Sequence, residues 1–354
     1  MANPIKIGLI GVGRAGYGMH TAELRSRQDK FVFTAGCDIL PERAAMFAEK
    51  FGAKAYTDPA DLIRDPDVEL VDIATLSRDH YAHAKMALLA GKDVFLEKPF
   101  AMSTAQAKEL IRLGSQPGGP HLYIRHNRRF EYGFEAVNEI IASGLLGEVF
   151  QIKLARNGFQ RRNDWQTLKE FGGGQICNWG PHIIDHSLQF CGGDYVELFH
   201  DLKQAAWLGD RDDHVKLVFK GVNGRIVDME ISGGAALPAP EYTVYGTRGA
   251  LVSENGGFRL RYLDPDVELP EARVKPEAWP LDPIMFGNPE KLPWKEEFRT
   301  LPGDGDGTAR IWDALYDTIR HHKPFPITSD QAYKVIAVIE EARCGTVFEA
   351  EAVL

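Results

Sequence analysis

The hexapeptide Gly11-Val12-Gly13-Arg14-Ala15-Gly16 follows an apolar run, Ile5–Ile10, and opens a helix-like stretch that reaches about Gln28. A GxGxxG sequence between a strand and a helix admits few folds. Its first glycine permits a tight turn, its second lets the backbone approach a pyrophosphate, and its third lets the helix pack close to the strand. The helix N-terminus then offers N–H groups and the positive end of its dipole to phosphates. Gly11, Gly13, Arg14, Ala15 and Gly16 are therefore candidate dinucleotide contacts. Asp38 ends the next apolar run, Phe31–Cys37, a little over 20 residues after the motif. There a carboxylate accepts hydrogen bonds from the adenosine ribose hydroxyls and repels a 2′-phosphate, so NAD is expected and NADP disfavoured. Arg43, five residues on, is the residue that could soften that preference.

Apolar runs and helical stretches continue to alternate up to about residue 124. Strands are expected at Glu69–Ala74, Asp93–Leu96 and His121–Arg125, and helices at Pro41–Phe51, His80–Ala90 and Ser103–Leu113. Such alternation builds a parallel sheet covered on both faces. After a helix from Tyr132 to Ser143 the pattern changes to short, turn-linked strands between Val149 and Tyr262, which suit a largely antiparallel sheet. Asp264–Gly307 is rich in proline, glycine and charge and reads as a long surface loop, and helices at Ala309–His321 and Ser329–Cys344 close the chain. The expected architecture is α/β: an N-terminal Rossmann dinucleotide-binding domain, residues 1–124, and a C-terminal α+β domain, residues 125–354, with an open-faced sheet.

Composition excludes other classes. With 41 basic against 50 acidic residues the net charge is −9, which argues against a nucleic-acid partner. No apolar run approaches the ~20 residues that cross a bilayer, and MANPIKIGLIGVG lacks the regions of a signal peptide, so no membrane partner and a cytoplasmic location are expected. Cys37, Cys177, Cys191 and Cys344 are far apart, and no His/Asp/Glu spacing suggests a metal.

Two segments carry chemistry. Glu97-Lys98-Pro99 follows the strand Asp93–Leu96, placing a lysine in the crevice at the carboxyl end of a parallel sheet, with Glu97 able to hold the ammonium and the Lys98–Pro99 bond a candidate cis peptide. Gly172-Gly173-Gly174 leads through Asn178 to His182 at the start of an expected helix Ile183–Phe190, with Asp185 one turn on, so both side chains can face one pocket. A helix N-terminus disfavours imidazolium and keeps His182 a neutral base. Arg156, Arg161, Arg162, Asp164 and Trp165 precede this segment, a set suited to polyhydroxylated or acidic ligands, with Trp165 stacking on a sugar ring. His20, His83, His321 and His322 read as surface or packing residues.

The run Ala74-Thr75, His80, Ala90-Gly91-Lys92 and Glu97-Lys98-Pro99 resembles the Gfo/Idh/MocA oxidoreductases, the family of glucose-fructose oxidoreductase and inositol dehydrogenase. His126–Phe130, Ser143-Gly144, Gly147-Glu148-Val149 and Tyr245–Gly249 extend the resemblance over nearly the whole chain. It implies Thr75, His80, Glu97 and Lys98 along the cofactor, Lys98 and His182 as the catalytic pair, and Asp185 on substrate hydroxyls. The family pattern GGGxxxDxGxHxxD has aspartate where this chain has Asn178, so the histidine here lacks a charged neighbour that would raise its pKa. The function implied is hydride transfer between NAD and a secondary alcohol of a sugar, cyclitol or derivative, in a homo-oligomer (dimer or tetramer). The alternatives are a redox-neutral, NAD-dependent glycoside-cleaving enzyme and a non-catalytic dinucleotide or sugar sensor.

Overall fold

The computed structural model describes residues 3–269, 291–303 and 306–349. Six parallel strands form the first sheet: β1 (Ile5–Ile10), β2 (Phe31–Cys37), β3 (Lys54–Tyr56), β4 (Leu70–Ile73), β5 (Asp93–Leu96) and β6 (Leu122–Ile124), in the order β3-β2-β1-β4-β5-β6. Helices cover both faces, so the strands are apolar almost throughout. Phe47 and Phe51 of the helix Pro41–Phe51 close on Phe33 at 5.2 and 5.0 Å between ring centres. Charged residues such as Lys6, Lys54 and Asp93 lie toward the strand ends and are partly or fully exposed, whereas Asp72 is fully buried within β4. Strand order reverses between β1 and β4, which opens a crevice at the carboxyl ends of the strands.

Three features differ from expectation. β3 and the helix Pro59–Arg64 were not foreseen; a three-residue edge strand carries little pattern, although Asp58 caps that helix on the Ala60 N–H at 2.8 Å and Pro59 stands in its first turn. The helix expected from Gly16 to Gln28 is a π-helical turn, Arg14–His20, followed by an α-helical turn, Thr21–Glu23, and a 3₁₀ turn, Leu24–Ser26. The Gly18 N–H reaches the Gly13 carbonyl five residues back (3.3 Å). Gly16 and Gly18 weaken the regular helix, and the wider turn carries His20 into the core. Finally, the segment expected as a surface loop contains a strand, β14 (Trp294–Thr300), while residues 270–290 and 304–305 of that segment lie outside the described residues.

The second sheet has the order β14-β13-β12-β11-β7-β10-β9-β8, with β7 (Val149–Asn157), β8 (Tyr195–Lys203), β9 (His214–Gly221), β10 (Ile226–Ser232), β11 (Tyr242–Gly246), β12 (Gly249–Glu254) and β13 (Gly257–Leu263). Among the described strands of this sheet, β7 and β10 alone run parallel. Register divides its faces. The cross-strand row Leu198, Phe219, Val227, Ile152, Val244, Leu251 and Leu260 lies on the core side, against the helix Gly180–Phe190. The neighbouring row Phe199, Val218, Asp228, Lys153, Thr243, Val252, Arg259 and Phe298 points away.

The chain then returns to the first sheet. Trp312, on the helix Arg310–His321, is fully buried against Phe95, Phe31 and His20, with ring centres 4.7, 5.4 and 5.5 Å away. Replacing Trp312 by alanine leaves a large cavity at this junction and is expected to cost about 3–5 kcal/mol of unfolding free energy, measured by urea denaturation.

Candidate active site

The three glycines of the turn sit in different surroundings. Gly11 has φ +98°, and a Cβ there would sit 2.6 Å from the Ala74 carbonyl oxygen. A Cβ on Gly16 would run into the Gly11 carbonyl and the Leu9 side chain. At Gly13 a Cβ would meet no atom within 4 Å, so this face of the turn is an open cradle of the kind a pyrophosphate needs. Asp38 lies beneath the turn, where its carboxylate accepts from the Val12 N–H (2.9 Å) and the Leu40 N–H (3.0 Å). Arg43 is half exposed, 4.0 Å from that carboxylate. The residues present fit a dinucleotide.

Lys98 follows β5, and the Lys98–Pro99 peptide is cis. The ammonium donates to the backbone carbonyl of Asn178 at 2.8 Å, which ties the first sheet to the segment carrying His182. Burial lowers the Lys98 pKa; Glu97 opposes the shift, and Arg128 and Arg125 add to it. Contrary to the expectation from sequence, Glu97 does not grip the ammonium. Its Oε2 accepts the Lys98 backbone N–H (3.0 Å), and its Oε1 accepts from His20 (3.0 Å) and Arg125 (2.8 Å). His80 is likewise committed elsewhere than to a cofactor: its ring nitrogens face the carbonyls of Pro99 (2.7 Å) and Thr75 (3.2 Å), so it shapes the Lys98 turn and the end of β4. The Thr75 hydroxyl lies 3.3 Å from His83.

The helix expected from Ile183 begins earlier, at Gly180, so His182 lies in its first turn behind Pro181. The ring is 6% exposed and its Nδ1 has no hydrogen-bond partner. Burial, then the charges of Lys98 and Arg128, hold its pKa well below the ordinary histidine value, so the imidazole is neutral. Asn178 enters the site through its backbone carbonyl, while its side-chain Oδ1 turns to Gln166 Nε2 at 3.4 Å. Two further expectations are corrected. Asp185 is buried and spends both oxygens on Arg129, at 2.6 and 2.5 Å, so it fixes the helix rather than a substrate hydroxyl. Arg156 pairs with Glu131 (2.8 Å) and Glu241 (2.6 Å). Trp165 opens a 3₁₀ turn capped by Asp164, and Arg162 pairs with the same aspartate. The indole beside His182 is Trp179, ring centres 6.0 Å apart, with the guanidinium carbons of Arg128 and Arg156 over its ring at 4.2 and 5.0 Å.

Sequence reading missed Trp179 and the buried charges behind Lys98. The signal for the latter was Asp72, an acid in an otherwise apolar strand, which needs a partner. Among the described residues no group of three His, Cys, Asp or Glu is arranged to hold a metal, and no helix is long and apolar enough to cross a membrane.

The sequence model of the oxidoreductase family with an NAD-binding Rossmann fold, Gfo/Idh/MocA, matches residues 5–119, and that family's C-terminal domain model matches residues 134–252. The chain belongs to the Gfo/Idh/MocA oxidoreductase family. It is 24% identical over 347 residues to the scyllo-inositol 2-dehydrogenase (NADP+) IolW of Bacillus subtilis, covering 96% of this chain and 92% of the relative. It is 29% identical over 195 residues to the D-glucoside 3-dehydrogenase of Escherichia coli, 54% of this chain and 55% of the relative. The solved structure of the oxidoreductase yvaA from Bacillus subtilis shares the fold with a TM-score of 0.80 at 18% identity, over 97% of this chain and 96% of that one.

The open space at Gly13 and the crowding at Gly16 separate binding from stability within this Gfo/Idh/MocA glycine turn. Gly13 has φ −98°, so Gly13→Ala is unstrained and is expected to leave the melting temperature unchanged while weakening dinucleotide binding by roughly tenfold or more. Gly16→Ala is expected to destabilise the fold by about 1–3 kcal/mol. Thermal melts and calorimetric titration of both variants check the separation.

Proposed function

We propose that the protein is an NAD-dependent dehydrogenase of a secondary alcohol in a sugar, cyclitol or derivative. The observation that carries this reading is the neutral, buried His182, whose Nδ1 has no partner, beside a Lys98 ammonium anchored on Asn178. A neutral imidazole with an uncommitted nitrogen can take an alcohol proton. Lys98, whose pKa burial lowers against the opposing charge of Glu97, stabilises negative charge on the alcohol oxygen as that proton leaves. The dinucleotide would be held by Gly11, Gly13 and the helix start at Arg14, with Asp38 on the ribose; when bound it supplies acceptance of the hydride from the carbinol carbon. Trp179 supplies an apolar wall beside the base. The inositol and glucoside dehydrogenases among the relatives support a polyol substrate. The retained acid/base pair favours turnover over a purely sensing role.

A homo-oligomer is part of the same proposal. Phe199 and Phe298 stand 60% and 47% exposed in the outward row of the second sheet, apolar surface of the kind a second subunit covers.

Lys98→Ala is expected to lower turnover by ~10² or more with dinucleotide binding nearly intact, and His182→Ala by ~10²–10⁴, in assays that pair NAD with a panel of sugars and inositols. A drop of less than a few-fold in either variant overturns its assigned role. Because the base must be neutral and its pKa is depressed, the acid limb of kcat/KM for oxidation is expected below pH 6.5. Asn178→Asp adds a negative charge that favours imidazolium and should move that limb to higher pH. NAD is expected to bind more tightly than NADP, since like charges ~4 Å apart cost about 1–4 kcal/mol; equal affinities in calorimetry would contradict the role of Asp38.

A further inference from the structure

Behind the Lys98 turn lies a chain of buried charges. His20, with no exposed surface, places Nδ1 2.8 Å from Asp72 Oδ2 and Nε2 3.0 Å from Glu97 Oε1. Arg125 bridges Glu97 (2.8 Å) to Glu23, and the Trp312 indole N–H donates to Glu23 at 2.7 Å. An ionised carboxylate can only accept, so a ring that satisfies both Asp72 and Glu97 must donate from both nitrogens and carry a positive charge. The groups facing the ring come from four elements. Asp72 is on β4, Glu97 follows β5, Arg125 follows β6, and Glu23 lies in the turn after His20; the edge of Trp312 covers the remaining side. Burial works against the charge on His20, and the two carboxylates outweigh it, raising the pKa to about 9.

The geometry points to His20 as a positioning residue that fixes Glu97, and through Glu97 the Lys98 turn, relative to the glycine-turn helix. Glu97 has two oxygens and three fixed donors: His20 and Arg125 hold Oε1, which leaves Oε2 aimed at the Lys98 backbone N–H. With Glu97 held in this way, the Lys98 ammonium is left to Asn178 and to a substrate oxygen. Without the imidazolium, Arg125 still keeps Glu97 ionised, but the carboxylate is free to turn toward the ammonium. His20 also closes the π-helical turn whose start is the dinucleotide cradle. This inference rests on the assignment of Lys98 as the group that stabilises the alcohol oxygen.

The test measures Lys98 itself, in the protein without cofactor or substrate. The rate of amine labelling at Lys98, followed by peptide mass spectrometry against pH, reports the ammonium's pKa. In His20→Gln the labelling midpoint is expected to rise by roughly half a pH unit or more, since a positive charge is lost and Glu97 is released. NAD affinity should stay within about threefold of wild type, which also shows that the variant is folded, and kcat on the identified substrate should fall at least ~10-fold with little change in KM. A midpoint unmoved in a variant that binds NAD normally overturns the inference. Should His20→Gln fail to fold, ¹⁵N NMR of the wild-type histidine ring decides. A doubly protonated ring at pH 8 supports the proposal and a neutral ring at pH 7 overturns it. The labelling and NMR results do not depend on turnover. If Lys98→Ala keeps its activity, the functional assignment falls while the link from His20 to Lys98 is still judged on its own data.

Discussion

Buried charge at the carboxyl end of the first sheet needs partners, and the arrangement of the site follows from how those needs are met. Asp72, His20, Glu97, Arg125 and Glu23 come from separate elements and are almost wholly out of water, so each is tolerable only beside its opposite. Their mutual satisfaction fixes the ends of β4, β5 and β6 against the helix that follows the glycine turn. Lys98 stands at the end of this array. Glu97 is already occupied, so the ammonium reaches across to the backbone carbonyl of Asn178 and ties the first sheet to the segment that carries His182.

The second half of the site is organised on the same principle. Arg129, in the turn Asn127–Phe130, and Asp185, on the helix Gly180–Phe190, neutralise each other, and Arg156 is matched by Glu131 and Glu241. His182 is left among positive or neutral groups, with Lys98, Arg128, His126 and His186 around it. Burial also presses His126 to about 4 and His186 to about 3, so the surrounding rings are neutral as well. With Asn178 in place of an acid, the leading influences on His182 all oppose imidazolium. The His182 imidazole is neutral because of where it is buried as well as because of the helix end on which it sits.

The parts of this design that depend on local pattern were legible in the sequence. The glycine turn, Asp38 at the end of β2, the cis Lys98–Pro99 turn and the change from crossover helices to turn-linked strands all follow from neighbouring residues. The parts that depend on distant partners were not. Glu97 next to Lys98 suggests an ion pair until His20 and Arg125, 77 and 28 residues away in sequence, claim the carboxylate. Asp185 one turn from His182 suggests a ligand until Arg129 takes both its oxygens. The strand β14 hid in a charged segment because an edge strand exposes much of its surface, and Trp-Lys-Glu-Glu-Phe-Arg-Thr has the composition of a loop.

The most direct test of the account is to follow the hydrogen that it says is transferred. The protein is incubated with NAD and carbon-deuterated inositols, glucose or methyl glucoside, and the recovered dinucleotide is weighed by mass spectrometry. The expected result is reduced dinucleotide carrying one deuteron from at least one of these polyols with the wild-type protein, formed ~10²-fold or more slowly with Lys98→Ala. Tight binding of NAD with no deuteron transferred from any polyol would contradict the assignment of this site to alcohol oxidation.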